Sequence, residues 1–145
     1  MKTTATIARV VLGLVFFVFG MNGFLNFIPM APVPALAGQF AGALIQSHYM
    51  VVVLTLEVLS GLLLLTNSYA LLATTFIAPI IVNILLFHVF MAPAGLPVAA
   101  LVAALWVVSA YPYRTLVSPL FERRFDAAER GESFASPRHS VARPA

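Results

Sequence analysis

Residues 49–65 read YMVVVLTLEVLSGLLLL, and this stretch decides the fold. A helix on the surface of a soluble domain keeps a polar face. This one is apolar all round, and its single charge, Glu57, falls in the middle. Working outward, Glu57 is the only Asp, Glu, Lys or Arg between Arg9 and Arg114. A soluble domain is about 25% charged, whereas this chain of 145 residues is 61% hydrophobic and 9% charged. Such a chain reads as a membrane protein. A carboxyl at that depth costs roughly 2.5–3.5 kcal/mol on insertion scales, so Glu57 needs a reason to be there.

The apolar sequence divides into four expected spans, residues 6–28, 49–66, 70–91 and 96–111. Each is near the ~20 residues that cross ~30 Å of hydrocarbon. Pro29, Pro32 and Pro34 end the first, because proline lacks the N–H that a helix interior requires. Asn67-Ser68 reads as a turn; Pro93, Gly95 and Pro97 separate the third span from the fourth, and Pro112 stops the last. Residues 34–48 are too short to span and too apolar for a free loop, so a short interfacial helix is expected there. Its Gly38 and Gly42 have the spacing that permits close helix packing. The fold class is therefore an all-α membrane four-helix bundle with a short interfacial helix between the first two spans. Residues 1–118 form the transmembrane domain. Residues 119–145 are expected to form a cytoplasmic part, with an amphipathic segment at 120–130 and a disordered tail.

Met1–Phe27 exceeds the ~7–15 apolar residues of a secretion signal, and no A-x-A-like site follows, so it is read as a retained span. Lys2 and Arg9 flank the first span, and Arg114, Arg123 and Arg124 follow the last. The positive-inside rule then places both termini in the cytoplasm. With no cysteine in the chain, thiol redox chemistry and Cys-ligated metal are excluded. The net charge of +3 comes with basic residues confined to the two ends, which does not suggest nucleic acid.

Glu57 lies about 12 Å inside Tyr49 at ~1.5 Å per residue, near the midplane. Asn83, eight residues before Met91 on an antiparallel span, reaches a similar depth. Asn22 and Asn26 share a face of the first span, at and just outside that level. His88 sits nearer the outer surface. Without a cation nearby, the neutral acid is the expected form of Glu57, able to donate a hydrogen bond that Asn83 or Asn22 could accept. Such a group suits proton relay, binding of a polar head such as a quinone carbonyl, or interhelical bonding. His88 is read as a proton-relay member, a ligand or an interfacial residue, and His48, at the start of the second span, as interfacial. Haem ligation by the two is disfavoured by their different depths. No local spacing supports a metal site. Pro79 is expected to kink the third span one turn before Asn83. Apart from its serines and terminal tyrosines, the fourth span offers no polar group and is expected to be a packing helix.

Asn22-Gly23-Phe24-Leu25-Asn26-Phe27-Ile28-Pro29, then Leu56-Glu57-Val58-Leu59-Ser60-Gly61, then Ala78-Pro79-Ile80-Ile81-Val82-Asn83 through His88, occur in the order and pattern of a known family. Over about residues 7–121 the chain resembles the DoxX family of small four-helix membrane proteins. The resemblance implies a link to quinone-reactive complexes and oxidative-stress assemblies, and a family polar pattern that includes Glu57, Asn83 and His88. Expected from all of this is a multi-pass protein of a bacterial inner membrane. It would be an accessory subunit of a quinone-linked redox assembly, with a buried polar site of Glu57, Asn83, Asn22, Asn26 and His88. Quinone is the candidate ligand. The lipid bilayer, a redox partner protein and further copies of the chain are the candidate partners. A small-solute or proton transporter and a ligand-free scaffold subunit are the alternatives.

Overall fold

The computed structural model describes residues 2–29 and 32–117. The expected amphipathic segment at 120–130 and the tail after it lie outside the described residues. Five helices make up the first compact unit, Met1–Tyr113. They are α1 (Lys2–Leu25), α2 (Ala35–Gln46), α3 (Tyr49–Leu65), α4 (Ala70–Phe90) and α5 (Leu96–Ala110). Short 3-10 turns lie at Pro93–Gly95 and Tyr111–Tyr113, and no strand occurs among the described residues. The second unit starts at Arg114 and is described only as one helical turn, Arg114–Val117.

Three segments are long and apolar enough to cross a membrane: Thr3–Leu25, Ala70–Phe90 and the stretch from Pro93 that contains α5. The 17 residues of α3 join α2 across an 88° bend, and this pair makes a fourth candidate. The pairings place α1 against α3 and α5, and α4 against the same two helices, while α2 leans on α3. Leu12, Phe16, Leu64, Ile77, Ile81 and Val102 bury themselves where these helices meet. Outside, Phe19, Leu59, Leu72, Val82 and Leu101 are exposed. So large an apolar exterior, rare on a soluble monomer, fits a membrane protein.

Lipid tails are as apolar as leucine, so helix association in a bilayer depends on close packing rather than on escape from water. The closest packing lies between α1 and α3. A Cβ built on Gly61 would fall 2.5 Å from the Phe17 amide nitrogen and 2.9 Å from the Gly13 carbonyl oxygen. Backbone meets backbone there. Gly20 faces the Cβ of Glu57 and the backbone of Val58, and Gly23 receives Leu54. These contacts form one antiparallel register, continued by Arg9, whose guanidinium donates to the Leu64 carbonyl at the end of α3. The expected Gly38/Gly42 packing in α2 is not formed: Gly42 has no neighbour within 4 Å and Gly38 meets only Val33, at 3.8 Å. That spacing permits close approach but does not supply a partner, and α2 has no helix laid on that face.

The helix ends follow from local chemistry. α3 closes with Ser68 N–H donating to Leu63 at 3.0 Å and Asn67 N–H to Leu64 at 3.4 Å, around Asn67 at φ 56°. This is a Schellman closure with asparagine in the left-handed position that it tolerates better than most residues. α1 ends at Leu25, three residues short of the sequence expectation, because Asn26 turns left-handed at φ 52°. His48, at φ 60°, makes the sharp corner from α2 into α3.

The seam gives opposite signs for two glycine-to-alanine changes. Gly61→Ala forces backbones apart and is expected to destabilise by about 1–3 kcal/mol. Gly42→Ala adds a methyl to open space in a helix and is expected to stabilise by about 0.5–1 kcal/mol. Thermal unfolding of both variants in the same detergent checks the pair.

Candidate functional site

Glu57 is the middle residue of α3. Its Cβ packs against Gly20 of α1, so the glycine is what admits the side chain to the seam. The residue is half-buried. Its carboxyl makes no hydrogen bond or ion pair among the described residues. One turn on, Ser60 is 1% exposed and its hydroxyl is also without a partner among them. Residues three apart share a helix face, so α3 carries two neighbouring polar groups that the fold itself does not satisfy. Buried polar groups are ordinarily hydrogen-bonded, and each exception calls for an explanation. Ser60 escapes a reading that seeks charges and amides. The signal for it is the Glu-x-x-Ser spacing in 57–60.

The other expected site residues go elsewhere. Asn22 is 4% exposed. Its side chain grips the chain beyond α1: Oδ1 accepts from Ile28 N–H at 2.6 Å and Nδ2 donates to the Ile28 carbonyl at 3.2 Å. A buried amide that both accepts and donates in this way fixes the exit from α1. Asn26 is exposed at the left-handed position that ends the helix. His88 pairs through Nδ1 with the Ala92 carbonyl at 3.0 Å and lies against Gly95, where a Cβ would fall 2.2 Å from its ring. It ties the end of α4 to the turn that follows.

Asn83 is on the exposed face of α4, at a cavity of about 210 Å³ lined with Phe40, Phe87 and Phe90. Phe40 of α2 and Phe87 of α4 stand 6.1 Å apart at 37°. The fold therefore places Asn83 in an aromatic groove under α2, and Glu57 does not line that groove. Pro79 is exposed and α4 runs through it as one helix.

The expectation for the last span needs correction. Trp106 of α5 donates through Nε1 to the Thr74 carbonyl of α4 at 2.9 Å, a polar link between two membrane-class helices. An indole is counted as apolar in a hydropathy reading, yet its N–H needs an acceptor when buried. Among the described residues no group of three or more His, Asp, Glu or Cys could hold a metal.

Comparison with protein-family models, curated proteins and solved structures gives no match to this chain.

Asn22→Ala leaves the Ile28 N–H and carbonyl without their side-chain partners. An expected loss of about 1–3 kcal/mol follows. Thermal unfolding reads the loss, and faster amide exchange at Ile28 locates it.

Proposed function

We propose that this chain is a four-helix membrane bundle of the DoxX type that binds a small lipophilic carbonyl compound, a quinone, for a redox partner. The single observation that carries the proposal is the Glu57 carboxyl, without a hydrogen bond or ion pair among the described residues at the centre of α3. An amide or hydroxyl would join helices at lower cost than an acid. A carboxyl left without a protein partner is available to a ligand oxygen or to a proton. In the proposed complex the neutral acid donates to a quinone carbonyl, and the Ser60 hydroxyl supplies a second contact. The aromatic groove at Asn83 offers a second surface on which a ring could lie.

In this proposal α1, α3, α4 and α5 all span and α2 lies along the interface, which the 88° corner at its end supports. The membrane is a bacterial inner membrane, with both termini cytoplasmic. The chain has no cysteine and no cofactor motif of its own, so electrons would come from the quinone or the partner. A second reading, proton passage, draws on the same neighbouring pair, because a carboxyl one turn from a hydroxyl is a unit of a proton path.

The test uses purified full-length protein and a short-chain quinone, with binding measured by calorimetry. Glu57→Gln keeps the shape and removes the acid. It is expected to weaken binding by about tenfold or more, roughly 1.4 kcal/mol, with the melting temperature unchanged or higher. Equal binding by both proteins, or no binding by the wild type, overturns the proposal. Glu57-dependent proton flux in proteoliposomes without quinone binding would instead establish the second reading.

A further inference from the structure

A second charge is held in the seam with no carboxylate paired to it among the described residues. Arg9 is half-buried on α1, and one of its guanidinium N–H groups goes to the Leu64 carbonyl. Among the described residues the only carboxylate is Glu57, seven positions before Leu64 on α3. That offset is about 10 Å along the helix, too far for a pair. The carbonyl end of α3 offers about half a negative charge, which offsets only part of a guanidinium.

Arg9 lines a cavity of about 300 Å³ together with Thr6, Asn67, Ser109 and Tyr113. The Asn67 amide side chain and the Tyr113 phenol make no hydrogen bond among the described residues. Ser109 donates inward to the Trp106 carbonyl at 2.9 Å. The cavity thus gathers a cation with two side chains able to donate, Asn67 and Tyr113, and no carboxylate is among the residues that line it. Its height fits a headgroup. The 21 residues of α4 rise about 31 Å, the thickness of the ~30 Å hydrocarbon layer. Asn67 lies in the turn just before α4, at the level where lipid phosphates begin.

We propose that this cavity binds a phosphate group, with Arg9 as its charge partner and Asn67 and Tyr113 as further donors. A planar guanidinium fork suits phosphate oxygens, and a charge-assisted bond is roughly twice as strong as a neutral one. The phosphate comes from an anionic lipid or from a soluble phosphate, and the experiment separates the two.

Full-length protein is stripped of lipid in mild detergent and melted with phosphatidylglycerol, with dioleoylglycerol (the same chains without phosphate) or with inorganic phosphate. Phosphatidylglycerol is expected to raise the melting temperature by about 5 °C or more, the size that ligand linkage gives at saturation. Dioleoylglycerol is expected to leave it unmoved. A shift with inorganic phosphate alone supports the site and names a soluble occupant. Arg9→Gln is expected to abolish the shift. Where Arg9→Gln fails to fold through loss of its bond to Leu64, Asn67→Asp carries the test. Aspartate tolerates the left-handed backbone there and replaces a phosphate donor with a carboxylate on the wall of the cavity that Arg9 lines. It is expected to raise the ligand-free melting temperature and to remove the response. Equal shifts in wild type and Asn67→Asp, a shift with dioleoylglycerol as large as with phosphatidylglycerol, or no shift with any addition, overturns the proposal.

Discussion

The contact of two backbones at Gly13 and Gly61 is the constraint on which the helical unit depends. In a bilayer a leucine gains nothing by leaving lipid for another leucine, so helices adhere through shape. Glycine lets the chains come close enough for the main-chain atoms themselves to touch. That approach sets the register between α1 and α3. The register in turn decides which side chains meet: Gly20 with Glu57, Gly23 with Leu54, Arg9 with the end of α3. The remaining helices close on this pair, α4 through α3 and α5, with the indole of Trp106 holding α5 to the Thr74 carbonyl.

A second constraint is that polar groups in hydrocarbon must find partners within the protein. Most do so at the helix ends, and they do it by serving the backbone. Asn22 holds Ile28, and His88 holds Ala92. The hydroxyls of Thr55, Thr74 and Thr75 turn back to the carbonyl four residues earlier. Against this background Glu57 and Ser60 stand out because they serve nothing in the fold. A residue already engaged with its own chain is a poor candidate for a ligand, which is why the amides at the end of α1 drop in weight and Ser60 rises.

Much of the fold is legible in the sequence because the strongest signals are local. Proline stops, the Asn67-Ser68 turn and unbroken apolar runs place α3, α4 and α5 within a residue of their expected ends. The exit from α1 is misjudged because an asparagine in the left-handed region ends a helix as firmly as proline, and apolar residues on either side hide it. The glycine pair in α2 has the right spacing and the wrong surroundings, since spacing names a capability and only the tertiary fold supplies a partner. Glu57 is legible as an expensive group at mid-helix. Its distance from Asn83 in contact terms is not legible, because equal depth in a bilayer leaves the rotation of each helix free. Asn83 is turned outward toward Phe40 and Phe87.

The register of α1 on α3 leaves the two charges of the seam to be compensated separately. Arg9 and Glu57 both belong to the α1–α3 contact, and the shared register fixes how far apart they are. Two turns of α3, about 10 Å, lie between the carboxyl and the carbonyl that Arg9 holds. At that separation and an effective dielectric of about 20, the attraction is roughly 1.7 kcal/mol. Each taken alone faces a desolvation cost larger than that. The pair therefore cannot neutralise itself, and sliding α1 along α3 to join them would drive Gly13 and Gly61 out of contact. Packing thus holds an acid at the centre of α3 and a cation at its end, two turns apart. The acid suits a group that exchanges a proton or a hydrogen bond, and the cation suits a permanent anion.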